Sequence, residues 1–324
     1  MSNILEEHIR PVTDKDKDLP QFSHSRLECF QNCPYQFDLK YNQLKTTSDT
    51  TIALEFGSLL HLCLEHKGLM LTQKGKVDYT YLDQLLIDGG QSDDGKGNEF
   101  HVLGLNELRS KYGVETWYEK DSEGHNYEDK VLAFRKVLQT EMQEDDGWIP
   151  TYFEQPFSYV YKDKIILHGF IDRIDTNTDG QYRVVDYKTS KKIYDEKKNA
   201  TSQQFAIYNA ALLLMYGAIA SENLYRFICI GESQTALTTG WENRWVKKMD
   251  KVLDAIDQGY ETKLWAPKPT PLCFYCNYGN GPSAKQFKHE CEYFSLWTPT
   301  EKTFEKNKEW NPELQTKVKK VFDW

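Results

Sequence analysis

The residues best suited to chemistry in this 324-residue chain lie between His168 and Ser190, in HGFIDRIDTNTDGQYRVVDYKTS. The segment reads as a β-hairpin around Thr178-Asp179-Gly180, with Gly180 supplying the positive φ that a three-residue turn needs. A register centred on Asp179 sets Asp172 opposite Asp186, with Cβ atoms roughly 5 Å apart. Lys188, two residues past Asp186, falls on the same face. Two ionised carboxylates this close repel by about 3 kcal/mol at an effective dielectric near 20. A cation between them relieves the repulsion, so the pattern points to a divalent-metal site with a lysine beside it.

The neighbouring elements must hold this hairpin in place. Ser23 onward, SHSRLECFQNCPYQFDLKY, carries apolar residues at helical spacing, and Pro34 opens a second short helix. Ala53 to Lys67 predicts a helix with Phe56, Leu60 and Cys63 or Leu64 on one side. Strands are expected over Tyr152–Tyr161, Ile165–Thr176, Gln181–Lys188 and Asn223–Ile230, and helices over Thr201–Tyr216 and Trp241–Tyr260. That order fits an α/β core with a mixed sheet flanked by helices. Residues 69–148, with a helical pattern near Val131–Met142, read as an insertion into this core. The expected organisation is a flexible arm over 1–22, a single domain over 23–294 that contains this insertion, and a basic tail over 295–324.

Composition narrows the function. Aromatic content of 14% argues against disorder. A mean hydropathy of −0.69, with no apolar run approaching eighteen residues, excludes a membrane-spanning helix. The N-terminal stretch has no signal-peptide core, so a cytosolic protein is expected, whose seven cysteines serve as metal ligands or core thiols rather than disulfides. The net charge of −9 argues against coating nucleic acid but permits a cleft that concentrates cations. Lys188, Lys191, Lys192, Lys197 and Lys198 cluster beside the hairpin, and the tail adds Lys302, Lys306, Lys308, Lys317, Lys319 and Lys320. Gly90–Gly97 nearly spells a phosphate-binding loop. Gly97 stands where Ser or Thr would bind Mg²⁺, and no strand precedes the segment, so it is expected to be a surface loop.

The sequence G-F-I-D-R-I-D followed by V-V-D-Y-K-T resembles motifs II and III of the RecB-type branch of the PD-(D/E)XK nuclease superfamily. F-G-S-L-L-H, with His61, resembles the helix that supplies a histidine metal ligand there. Q-F-A-I-Y resembles the motif after the lysine, with Gln204 and Tyr208 one helical turn apart. S-R-L-E-C-F-Q-N-C-P-Y-Q-F resembles the N-terminal segment of its iron–sulfur members, the AddB-like and CRISPR-associated exonucleases. The resemblance spans about Ser23 to Cys291 but leaves 69–148 unmatched. It implies a restriction-endonuclease-like core holding Mg²⁺ or Mn²⁺ through His61, Asp172, Asp186 and the carbonyl of Tyr187. Lys188 would orient or deprotonate the attacking water, while Gln204 and Tyr208 would position the DNA. A purely structural Asp–Lys pair would leave His61 and the Gln/Tyr helix unexplained. His66 and His101 read as isolated surface residues, His168 as packing at a sheet edge, and Asp175 as a partner of Arg173 or Arg183.

Cys273-Phe-Tyr-Cys276 forms a C-x2-C knuckle, followed by Cys291, with Cys33 far upstream. The resemblance implies that Cys33, Cys273, Cys276 and Cys291 hold a 4Fe–4S cluster, with Cys29 in reserve. The long gap before Cys291 departs from the family pattern, which leaves open zinc, with His289 as a further ligand, or free thiols. The expected protein is therefore a metal-dependent deoxyribonuclease, an exonuclease on single-stranded ends by resemblance, stapled by a cluster. It has no visible motor and would work beside a separate helicase or recombinase, in a setting such as a phage or mobile element. The competing class is a non-catalytic DNA-end-binding or scaffold protein that keeps the fold.

Overall fold

A computed structural model describes residues 4–46, 50–93, 97–121, 124–143, 147–190, 192–237, 240–270, 273, 275–279 and 287–293, with the backbone of 298–299 and 308–309. The elements are β1 (Ile9–Pro11), β2 (Gln21–Phe22), α1 (His24–Asn32), α2 (Pro34–Phe37), α3 (Ile52–Lys74), α4 (Tyr79–Asp88), β3 (Gly89–Asp93), β4 (Glu99–Leu103), α5 (Leu105–Tyr118) and α6 (Tyr127–Thr140). They continue through β5 (Ile149–Tyr161), β6 (Ile165–Thr176), β7 (Tyr182–Lys188), α7 (Glu196–Ala200), α8 (Gln203–Tyr216), β8 (Glu222–Phe227), β9 (Glu232–Thr235) and α9 (Trp241–Thr262), then β10 (Thr298–Pro299) and β11 (Lys308–Glu309). Two compact units result: Met1–Gln21 with Thr50–Lys247, and Phe22–Asp49 with Lys248–Trp324.

The first unit is built on a mixed sheet whose main path runs β1-β5-β6-β7-β8-β9. All its pairs are antiparallel except β7 with β8, which are parallel and joined through α7 and α8. The α/β architecture with helices flanking a mixed sheet is the one the sequence predicts. The β6–β7 register, Arg173↔Val185 through Thr176↔Tyr182, is centred on Asp179 as expected, and Gly180 takes φ +72°.

Residues 4–22 are not the loose arm their charge suggests. Leu5 is fully buried and β1 pairs with β5, while Arg10 grips Asp16 and Asp163 by ion pairs of 2.7 and 2.5 Å. Those anchors turn a polar segment into an edge strand. The residues between α3 and β5 contribute Leu82, Leu86, Leu108, Trp117, Val131 and Phe134 to one hydrophobic cluster with Phe56 and Leu60 of α3 and Val185 of β7. The loop-like Gly90–Gly97 region begins as strand β3, paired with β4 from Gly89↔Leu103 to Asp93↔Glu99. Residues 94–96 at its tip lie outside the described residues.

Helix α3 lies close against the sheet because Gly68 has no side chain. A Cβ there would sit 2.3 Å from the Phe153 ring. Gly68→Ala should therefore cost about 1–3 kcal/mol through overpacking, read by urea unfolding. A loss below about 0.5 kcal/mol would mean that the ring moves away freely.

The second unit gathers α1, α2 and the C-terminal part of α9 around Phe30, Phe37 and Trp265, whose rings meet at 5.3–6.2 Å. The tail lysines lie outside the described residues, apart from the backbone of Lys308, where β10 pairs with β11.

Candidate active site

Strands β6 and β7 pair only as far as Arg173↔Val185, after which β7 continues alongside β8. Asp172 stands at that fork, and its Oδ2 accepts a 2.7 Å hydrogen bond from the Tyr187 amide. His61, on α3, brings Nδ1 to 3.7 Å from both Asp172 Oδ2 and Glu154 Oε1. One donor atom from each of His61, Glu154 and Asp172 lies within 4.8 Å of the others. This is a compact set of two hard oxygens and one imidazole nitrogen, suited to Mg²⁺ or Mn²⁺.

Glu154 belongs to no motif singled out in the sequence. The β5–β6 register (Phe153↔Arg173, Gln155↔Ile171) brackets it opposite Asp172. The same arithmetic that pairs Asp172 with Asp186, centred instead on Asp163, would have found it. Its backbone takes φ +41°, a strained left-handed conformation for a non-glycine residue inside a strand.

Asp186 and Lys188 form the second half of the site. Lys188 Nζ lies 2.5 Å from Asp186 Oδ2 and donates to Gln204 Oε1 at 2.9 Å. Gln204 Nε2 donates to the Tyr208 hydroxyl at 2.8 Å, and that hydroxyl donates to Asp186 Oδ1 at 3.3 Å. The four side chains close a ring. Ser202 caps α8, accepting from the Phe205 amide at 3.3 Å, and so sets the helix phase that points Gln204 and Tyr208 at the strands. Tyr187 turns its own side chain the other way, its hydroxyl accepting from Arg173 at 3.0 Å.

The electrostatics bind the two halves. Burial raises the Asp172 carboxyl to about 8, helped by the charges of Asp186 and Glu154 and opposed by His61 and Lys188. Burial works against the His61 imidazolium, yet Asp172 and Glu154 outweigh it and hold the pKa at about 9. Lys188 is likewise raised despite burial, by Asp186 and Asp172. Glu65, lining the same cavity as His61 and Glu154, is lifted to about 7 by burial and by Glu154. Asp186 Oδ2 is buried with no well-directed hydrogen bond, only the Lys188 ion contact. A carboxylate so placed beside a carboxylate/imidazole set fits a divalent ion.

Any such ion must displace the protons on His61 and Asp172. Both groups hold protons below their pKa values, so Mn²⁺ affinity should rise as pH climbs from about 6.5 to about 8.5. Calorimetric titration across that window checks it; a flat affinity would contradict the protonation states.

The other residues singled out by sequence fall away from this fork. Asp175 is fully buried between Arg173 and Arg183, at 2.6 and 2.8 Å. His168 pairs with Ser158 of β5, in the part of β6 that lies beyond its pairing with β7. His66 and His101 are not isolated, meeting Tyr81 at 3.0 Å and Glu107 at 2.8 Å. Lys192, Lys197 and Lys198 are exposed after β7, and Lys191 lies outside the described residues.

In the second unit, Cys33, Cys273, Cys276 and Cys291 line one cavity of about 40 Å³. Cys33 Sγ accepts from the amides of Gln36 and Lys268, each at 3.4 Å, and Cys273 Sγ from that of Thr270 at 3.4 Å. Burial pushes the Cys276 and Cys291 thiols up to about 11 and about 12. A cationic group is what would hold such thiols as thiolates. A tetrahedral zinc with 2.3 Å bonds would draw sulfurs to within about 4 Å of one another. Among the described residues no three cysteine sulfurs lie within 4.8 Å of one another. Cys29, one turn before Cys33, and His289 do not line that cavity.

Comparison with known proteins agrees with this geometry. The chain is 25% identical over 194 residues to an ATP-dependent helicase/deoxyribonuclease subunit of Streptococcus agalactiae serotype Ia. It is 27% identical over 196 residues to the protein of the same name from Streptococcus mutans serotype c. Each match covers 59% of this chain and 16% of the relative, so the chain spans about a sixth of the curated relatives it matches. Residues 21–280, taking in the fork, the α8 ring and three of the four cavity cysteines, match the PD-(D/E)XK nuclease superfamily. A match over most of the chain makes this protein a member of that superfamily.

Proposed function

We propose that the chain is a divalent-metal-dependent deoxyribonuclease that hydrolyses phosphodiester bonds at the β6–β7 fork, acting as an exonuclease on single-stranded ends. The observation that carries this reading is the convergence of His61, Glu154 and Asp172 beside the Asp186–Lys188–Gln204–Tyr208 ring. His61, Asp172 and Asp186, with Glu154 and the Tyr187 carbonyl, would hold Mg²⁺ or Mn²⁺, which when bound neutralises phosphate and acidifies water. Lys188 stays protonated between Asp186 and Gln204, so it serves better as a fixed positive charge and water-orienting donor than as a base. Gln204 and Tyr208 keep Asp186 and Lys188 from collapsing into an unoriented pair. They also present polar groups to the scissile phosphate.

Cys33, Cys273, Cys276 and Cys291 are proposed to hold a 4Fe–4S cluster that ties the two halves of the second unit. The names of the streptococcal relatives join helicase to deoxyribonuclease, which supports a helicase as partner. Among the described residues no helix is long and apolar enough to cross a membrane.

The test is anaerobic digestion of end-labelled single- and double-stranded DNA with Mn²⁺ or Mg²⁺. Metal-dependent product ladders from single-stranded ends are expected. DNA binding without cleavage under either metal would sink the enzyme reading in favour of an end-binding protein.

A further inference from the structure

The segment that leads from β7 into α7 is tied down at several points. Ser190 Oγ accepts from the Lys192 amide at 3.1 Å, and Asp195 caps α7 by accepting from the Lys198 amide at 2.8 Å. Between them, the Tyr194 carbonyl accepts from Gln234 Nε2 of β9 at 2.7 Å. The Tyr194 ring meets two rings of β8 edge-on, Tyr225 at 5.0 Å between centroids and Phe227 at 5.5 Å. A ring anchored at its own backbone and packed against two others has little freedom to turn.

The Tyr194–Tyr225 pair carries a cation at each end. Tyr225 stands beside Asp186 in the β7–β8 register, and its ring centroid lies 5.5 Å from Lys188 Nζ. Lys198 Nζ lies 3.9 Å from the Tyr194 centroid, the shortest cation–ring contact among the described residues. The order Lys188, Tyr225, Tyr194, Lys198 sets a second ammonium two rings away from the first. The two lysines differ in how they are engaged. Lys188 is held by Asp186 and Gln204, whereas Lys198 is exposed and forms no ion pair among the described residues. An exposed lysine ordinarily loses rotamer freedom when it grips an anion, and the Tyr194 ring already restricts this one. Its N–H donors on the side away from the ring stay available.

We propose that Lys198, held over Tyr194, is a second phosphate subsite, which receives a backbone phosphate of the same DNA strand whose scissile phosphate lies beside Lys188. This rests on the nuclease reading above and adds to it a point where the substrate's backbone is gripped. Such a contact fixes the position of the strand without reading its bases, and it weakens as salt rises. Lys197 is the natural comparison, since it is equally exposed but meets no ring among the described residues.

The experiment titrates the full chain with short labelled single strands in Ca²⁺, each carrying one neutral methylphosphonate linkage, moved a position at a time. Cleavage of the intact strand in Mn²⁺ is followed alongside. In the unaltered protein, one linkage besides the scissile one should weaken binding roughly three- to fivefold when neutralised. Lys198→Ala should weaken binding of the intact strand by the same factor and lose the sensitivity at that linkage. It should also flatten the slope of log affinity against log salt by about 0.7. Tyr194→Leu should act likewise although the lysine remains, while Tyr194→Phe and Lys197→Ala should keep the positional profile. A flat profile in the unaltered protein, or the same sensitive linkage surviving in Lys198→Ala, overturns the subsite. So does an equal loss in Lys197→Ala, which would be the mark of a diffuse field, or full affinity in Tyr194→Leu. If Tyr194→Leu fails to fold, Lys198→Ala at its exposed position still decides. Strands bound with the expected profile but never cut would overturn the nuclease reading alone; strands not bound at all would overturn both.

Discussion

Asp186→Asn is expected to lower metal-dependent cleavage by on the order of a thousandfold while the protein stays folded. The substitution keeps the shape and the acceptor for Tyr208, at 3.3 Å, but removes the charge that Lys188 approaches at 2.5 Å. Two losses follow together. On the proposed reading the metal would lose a hard anionic ligand, and Lys188 loses the partner that fixes it beside Gln204. Lys188→Met should cost a comparable factor, and the double variant little more than either, because the residues act as a unit. Gln204→Leu should be milder, about tenfold, since it loosens Lys188 without removing a charge. Single-turnover rates at saturating Mn²⁺ read all four. Retention of a tenth of the activity in Asp186→Asn would remove Asp186 from the metal site.

The largest stability effect belongs to a residue with no part in the chemistry. Arg173 is buried and binds Asp175 at 2.6 and 2.9 Å, Glu141 at 2.6 Å and the Tyr187 hydroxyl at 3.0 Å. Glu141 is shared with Arg226 at 2.7 Å, and the buried ammonium of Lys67 donates to its carbonyl. Arg173→Met leaves two buried carboxylates short of a partner each, which should cost about 3–5 kcal/mol. Thermal midpoints should fall by roughly 10 °C on that account. Arg173→Met with Asp175→Leu should recover part of the loss by removing one stranded charge, a non-additivity that urea unfolding would show. A single-variant loss under about 1 kcal/mol would mean that water or Arg183 compensates fully.

Sequence pattern exposes one hairpin of the sheet and conceals the next, for a reason that lies in the turns. The β6–β7 turn carries Gly180 at its positive-φ position, so its register can be counted and Asp172 set against Asp186. The β5–β6 turn also needs positive φ, at Lys162 and Asp163 (+50° and +56°), but uses residues that give no such signal. The N-terminal segment supplies what the sequence of that turn lacks, through the Lys162 amide on His8 and the Asp163 carboxylate on Arg10. Glu154 stays hidden because its register depends on contacts some 150 residues away in sequence. Helix α3 outruns its expected end at Lys67 for a similar reason. Burial of Met70 and a Gly75 cap at φ +66° carry it to Lys74, beyond the reach of local propensity. Gln204 and Tyr208 are legible through the resemblance of Q-F-A-I-Y to the family motif, and their spacing then sets them one turn apart on one helix.

The second unit is assembled from two chain segments, Phe22–Asp49 and Lys248–Trp324, that flank the longer segment of the first. About 240 residues separate Cys33 from Cys273 in the chain. At 5–20 residues per second, a ribosome needs roughly 10–50 s to make that interval. Cys29 and Cys33 thus emerge long before the thiols that share a cavity with Cys33 exist. The cavity that Cys33 lines is therefore completed only late in synthesis, once Cys273, Cys276 and Cys291 have been made.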